Sequence, residues 1–225
     1  LIFFVAVGGR IPSYLGSSFA FIAVVIAATG YSGSGPNPNL AVALGGIVAA
    51  GALYLAIGAA VMIAGHRWVE TLMPPVVTGA VVAAIGLNLA PIAVRAVSAS
   101  GFDAAIGLVT VLAVALIAVY GRGVARRIPI LVGAAAGYLA HLAGTRLFGI
   151  GTPVDFAGVG NADWIGMPAF AAPVFSGEAV ALIAPVAIIL VAENLGHIKA
   201  IGAMLGRSLD PWIGRGFVGD GIATI

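Results

Sequence analysis

Long stretches without a charge alternate with short polar connectors along this 225-residue chain. A helix needs roughly 20 apolar residues to cross a bilayer. On that measure the pattern predicts a partial span at 1–8 and an unusual one at 12–28. Clear spans follow at about 40–64, 73–94, 104–120, 128–148 and 178–199, and another begins near 214. The apolar runs are continuous rather than alternating with period two, which excludes an outer-membrane barrel. The expected fold class is therefore an all-α polytopic membrane protein. The longest connector, 149–177, carries Gly, Pro, Asp and Trp and reads as an irregular surface loop. The chain opens at "LIFFVAVGG" without a methionine and closes at "FVGDGIATI", where a new apolar run starts. Both ends are expected to be cut spans.

Composition strengthens this picture. Hydrophobic residues make up 61% of the chain and charged residues 8%, against about 25% charged in a soluble domain. So little charge could not cover a water-facing surface. The net charge of +2 does not point to nucleic acid, because no basic run exceeds Arg126–Arg127. With no cysteine, disulfides, iron–sulfur clusters and thiolate zinc sites are excluded. Counting Lys and Arg on alternate sides of the spans gives a clear bias. One side receives Arg10, Arg67, Arg122, Arg126, Arg127, Lys199, Arg207 and Arg215, and the other Arg95 and Arg146. The richer side is expected to be cytoplasmic. The 29–39 and 149–177 loops then face outward, and the chain lies in the cell (inner) membrane.

Two stretches carry candidate chemistry. The first is "RIPSYLGSSFAFIAVVIAATGYSG". Pro12, Gly16, Ser17 and Ser18 sit in a segment barely long enough to cross. Glycine frees the backbone and serine hydroxyls compete for its hydrogen bonds. Partial unwinding is expected, which at membrane depth is tolerated only against protein or a watery cavity. Gly/Pro-interrupted spans point to substrate sites in transporters. Phe19 at the break could stack on a flat ligand. The bland alternative is a kinked packing helix.

The second stretch is "VAENLGHIKA". Glu193 is the acidic residue set deep within an apolar run, with His197 one helical turn on and on the same face. Intramembrane acids cost several kcal/mol and usually face a cavity and do work. Apolar surroundings suit a carboxyl group to taking up and releasing a proton, which a nearby imidazole can share. A carboxylate can also accept two N–H donors from a planar heterocycle. Pro185, two turns earlier, can bend the helix around a site. The plainer role for both residues is a polar pair tying helices together, and His197 is close enough to Lys199 to be interfacial. Asp220, in the last run, is left unassigned. His141 reads as a structural histidine, "GAAAG" at Gly133–Gly137 as a helix contact, and Trp164 and Trp212 as interfacial. No metal-ligand cluster is apparent in the sequence.

The blocks "GRIPSYLGSSFAFIA", "MPPVVTGAVVAAIGLNLA", "RRIPILVGAAAGY" and "VAENLGHIKAIGAMLGRSLDPWIGRGFVGDGIATI" resemble the nucleobase–cation symporters, also called the nucleobase–ascorbate transporters, and within them the bacterial uracil and pyrimidine permeases. The resemblance implies a fragment of a fourteen-span inverted-repeat transporter with core and gate domains and a broken third span. It places 1–64 in the core as the end of span two with spans three and four, and 65–148 in the gate as spans five to seven. Residues 149–177 form an extracellular connector, and 178–225 return to the core as span eight and the start of nine. By the same resemblance Phe19 and Ser18 contact the base, Glu193 hydrogen-bonds it and His197 takes part in proton coupling. Asn194 stands where the pyrimidine branch has a histidine, and little effect is expected because that direction points away from the site face. His197 stands where purine-type members have aspartate, which favours pyrimidines.

The expected activity is proton-coupled uptake of a nucleobase, uracil or a related pyrimidine, by a secondary transporter and not an enzyme. No cofactor or metal is expected, and the coupling ion is H+. The partners are the nucleobase and the lipid bilayer, with no nucleic acid. Homodimerisation is left open. The alternatives are a purine or xanthine symporter of the same family, a transporter of sulfate or bicarbonate with the same architecture, and a non-transporting membrane scaffold.

Overall fold

In the computed structural model the described residues are 1–13, 18–31, 35–162, 165–166 and 170–225. Gly16, Ser17, Asp163 and Trp164 lie outside them. The described residues form helices joined by turns and extended segments, with no strand among them. In chain order these are α1 (Ile2–Ala6), α2 (Ala20–Thr29), α3 (Leu40–Ala64), α4 (Arg67–Leu72), α5 (Pro75–Val97) and α6 (Gly101–Tyr120). They continue with α7 (Pro129–Leu147), α8 (Ala157–Gly160), α9 (Gly177–Ile183), α10 (Val186–Leu205) and α11 (Ile213–Thr224). Five stretches are long and apolar enough to cross a membrane: α3, α5, α6, α7 and the run Gly177–Leu205 that holds α9 and α10.

Local chemistry accounts for several of the boundaries. Ser100 caps α6 by accepting the Asp103 N–H at 3.1 Å, the standard way to satisfy a free amide at a helix start. Pro129 opens α7, where its missing N–H is no loss. Gly206 ends α10 with φ 64°, a left-handed conformation that glycine reaches without strain. Pro185 separates α9 from α10, an interruption where proline removes one backbone hydrogen bond. α2 runs for only ten residues, about 15 Å at 1.5 Å per residue, half of what a bilayer core requires.

The chain divides into two compact units, Leu1–Asn88 with Ala169–Ile225, and Leu89–Pro168. The first is organised around α3 and α11. Gly51 and Gly58 on α3, and Gly214 and Gly221 on α11, are each seven residues apart and therefore share a face. A Cβ on Gly58 would lie 2.7 Å from the Val218 nitrogen, and one on Gly221 2.9 Å from Leu55 Cα. Small residues let apolar helices approach to backbone contact, where van der Waals packing is the main attraction in lipid. Around this seam lie buried Tyr54, Ile198, Ile213 and Phe217, together with Val7 and Ile11. The connector ends on this unit too. The Val174 N–H donates to the Ala41 carbonyl at 2.8 Å, so the loop expected to be surface irregular structure docks its last residues onto α3.

The second unit repeats the device with α6 and α7. Gly133 faces Val114, Gly137 faces Thr110, and Gly144 faces the ring of Phe102, so "GAAAG" is a helix contact. His141 packs its ring 5.4 Å from Phe102.

Replacing Gly58 by alanine should push backbone against backbone and lower stability by about 1–3 kcal/mol. Gly86, with open space where a Cβ would be, should accept alanine with a gain of up to about 1 kcal/mol. Thermal unfolding of the purified full-length variants compares the two, and equal effects would contradict the seam.

Candidate functional site

Site building starts at the N-terminus of α2. The Ser18 hydroxyl accepts the Ala20 N–H at 3.1 Å and donates its own proton to the Glu193 carboxylate on α10. One hydroxyl thus fixes the start of the short helix and satisfies an acid on another. The free amides at the start of α2 carry a partial positive charge that favours a nearby carboxylate. Glu193 is half-buried and His197 is exposed on α10. His197 makes no hydrogen bond or ion pair among the described residues, so the two are not brought together by a direct bond.

Beside Glu193 lies a second polar group. The Asn194 amide nitrogen donates to the Tyr54 phenol oxygen at 2.9 Å and to Asp220 Oδ2 at 2.7 Å. All three residues are buried, Tyr54 fully. An amide carries two N–H protons, and here each has an acceptor. The Tyr54 ring also packs 5.3 Å from Phe217. The position expected to point away from the site face is thus a buried amide with two acceptors. The face of α10 next to Glu193 is packed against α3 and α11, so an i, i+1 neighbour of the acid enters the protein interior rather than leaving the site.

A cavity of about 790 Å³ opens between these elements. Its wall includes Ser18, Phe19, Leu190, Asp220 and Thr224, with Ile2 and Phe3 of α1. Phe19, at the N-terminal boundary of α2, is 66% exposed there. The carboxylate on this wall is Asp220, and Glu193 stands behind Ser18. The volume falls in the range of small-molecule sites, which are mostly apolar with a few fixed polar groups.

Four of the basic residues expected on one side, Arg10, Lys199, Arg207 and Arg215, gather at one end of this unit. Lys199 pairs with Glu70 and Asp210. Arg207 donates to the Arg10 carbonyl at 2.9 Å. Arg10 and Arg215 both lie over the Trp212 ring, at 5.8 and 5.1 Å. The fold also draws together His66, Glu70 and Asp210 in a spacing that could hold a metal, a cluster that sequence reading missed because Asp210 is remote in the chain from the other two. The Lys199 ammonium already sits between the two acids. Burial works to raise the Asp210 carboxyl. The bonds from Lys199 and Ser208, with the charges of Lys199 and His66, outweigh it and hold Asp210 below its ordinary value.

With this geometry in view, comparison with known proteins is decisive. Residues 1–225 match the group described as the Permease family over their whole length. The chain belongs to that family. RutG of Escherichia coli (strain K12), which carries a pyrimidine-permease name, is 59% identical over all of this chain and 51% of its own length. The uracil permease of Bacillus caldolyticus is 38% identical over 96% of this chain and 50% of its own length. The uracil permease of Paenibacillus larvae is 35% identical over all of this chain and 53% of its own. The chain thus spans about half the length of the curated relatives it matches, and it is a multi-pass cell-membrane protein.

Substituting Lys199 by methionine leaves Glu70 and Asp210 facing each other. Because pairing lowers the Asp210 value, its stabilisation is full above about pH 4 and fades as pH falls through the lowered value. The variant should lose up to about 1 kcal/mol at neutral pH, and the loss should shrink at about pH 3. Unfolding curves at both pH values test this, and a pH-independent loss would contradict it.

Proposed function

We propose that this chain forms the substrate-holding part of a secondary transporter that takes up a nucleobase, uracil or a related pyrimidine, together with a proton. The observation that carries the reading is the Ser18–Glu193 bond, which joins a short helix to an acid in an apolar helix beside a cavity. Apolar helices keep such groups only where they have work to do. A uracil ring is flat, uncharged and edged with N–H donors and carbonyl acceptors. Phe19 offers it a stacking face, Ser18 a hydroxyl, and Glu193 an acceptor that becomes available when Ser18 turns. His197, one turn along α10, relays the proton. The relatives whose names cite uracil or pyrimidines support the choice of cargo.

In this reading 1–64 and 178–225 belong to a core that holds the base. Residues 65–148 form a gate against which the core rocks to alternate access. The 29–39 and 149–177 loops face outward. Inorganic anions are a poor cargo here, since Glu193 and Asp220 would repel them.

Uptake of labelled uracil by cells expressing the full-length protein tests the proposal. Glu193→Gln should reduce uptake on the order of 10- to 100-fold, the worth of a hydrogen bond to a charged group at about 1.5–3 kcal/mol. Phe19→Ala should raise the KM by a comparable factor, since base–aromatic stacking contributes about 1–3 kcal/mol. A protonophore should abolish accumulation. Undiminished uptake by Glu193→Gln would remove the acid from the mechanism, and accumulation unaffected by the protonophore would remove the proton.

A further inference from the structure

The Tyr54–Asn194–Asp220 group takes no part in holding the base in the reading above, yet it is a buried polar group bonded across three helices of the first unit. We infer that Asp220 is a second cargo-recognition carboxylate of the cavity, and that Asn194, anchored on Tyr54, is the positioning residue that aims it. The inference rests on the reading that the cavity takes a planar, uncharged cargo with N–H donors on its edge.

Three observations lead there. First, Asp220 is the carboxylate on the cavity wall, alongside Ser18, Phe19 and Thr224. Second, its backbone is pinned on both sides. A Cβ on Gly219 would lie 2.6 Å from Ala6 Cβ, and one on Gly221 2.9 Å from Leu55 Cα, so α11 is wedged between α1 and α3 at this point. The side chain is pinned as well, by one Asn194 N–H on Oδ2. Third, Asn194 is itself held by Tyr54, so neither of its protons is free to turn away.

A helix-tying role would not call for an acid. α3 and α11 already meet through Gly51, Gly58, Gly214 and Gly221, and an amide bonded to a phenol could join α10 to α3. Placing a carboxylate in apolar surroundings is costly unless it is bonded. A carboxylate has room for several donors, and Asn194 supplies one. A cargo N–H arriving from the cavity supplies another, and rigid placement of the acceptor is what lets it discriminate between heterocycles by the position of their donors.

The test exchanges the two side chains in the full-length protein. In the double variant Asn194→Asp with Asp220→Asn, the amide at 220 donates to the carboxylate at 194, and the Tyr54 hydroxyl donates to it too. The three-way bonding survives while the charge leaves the cavity wall. The expected result is a melting temperature near that of the parent protein and a KM for labelled uracil raised at least tenfold. A parental KM in the folded double variant would overturn the inference and leave the group as a structural tie. Tyr54→Phe is the second variant, used if the exchange does not fold. It removes the anchor without touching the charge, and should raise KM three- to tenfold with little change in maximal rate. An unchanged KM would overturn the positioning role. Absence of uracil uptake by the parent protein would instead sink the proposed function, and this inference with it.

Discussion

Polar groups set among apolar helices must satisfy one another, and this constraint organises the first unit of the protein. Water is not at hand to take a stray proton or lone pair, so each buried donor needs a named acceptor. Ser18 meets Glu193 and Ala20, while Asn194 meets Tyr54 and Asp220. These bonds run between α2 and α10, and among α3, α10 and α11. They specify which helices neighbour which in a way that generic apolar packing could not, since lipid tails are as apolar as leucine.

Glycine makes the arrangement reachable. Backbone contact between α3 and α11 brings Tyr54 and Asp220 close enough to share one amide. A larger residue at Gly58 or Gly221 would hold the helices apart and stretch both bonds. The interruption at Pro185 divides the run into α9 and α10. Packing, helix geometry and hydrogen bonding therefore converge on one region, and the cavity lies beside it. At the opposite extreme, α5 and α6 have no buried residue, as suits surfaces offered to lipid or to other helices.

Much of this was legible from residue order. The spans follow from hydrophobic runs, and for those expected at 40–64, 73–94, 104–120 and 128–148 the observed boundaries fall within a few residues, as with 101–120 against 104–120. The gathering of Arg10, Lys199, Arg207 and Arg215 at one end agrees with the count of basic residues. Glu193 drew attention because an isolated acid in an oily run is conspicuous. Tyr54 did not, and Asn194 did so only as a departure from the pyrimidine-branch pattern, since neither is charged and their partners are 140 and 26 residues away. Asp220 was visible as an acid but had no sequence neighbour to explain it. The bonds of Asn194 were not legible for a definite reason. Helical periodicity says which residues share a face, but not how many faces of α10 are covered, and nine of its residues are buried. The Lys199–Glu70–Asp210 cluster was hidden for the same reason, since it joins α4, α10 and the turn after it.

The central claim is that the cavity walled by Ser18, Phe19, Asp220 and Thr224 is where cargo rests. Thr224 is a wall residue outside the proposed recognition groups, and the chain contains no cysteine. A Thr224→Cys variant of the full-length protein, with any cysteine outside this region replaced, can be alkylated by a small maleimide in membranes. The account predicts that saturating uracil slows the reaction at least several-fold, while an unrelated solute such as sulfate does not. Alkylation at the same rate with and without uracil, in a variant that still transports it, would contradict the account.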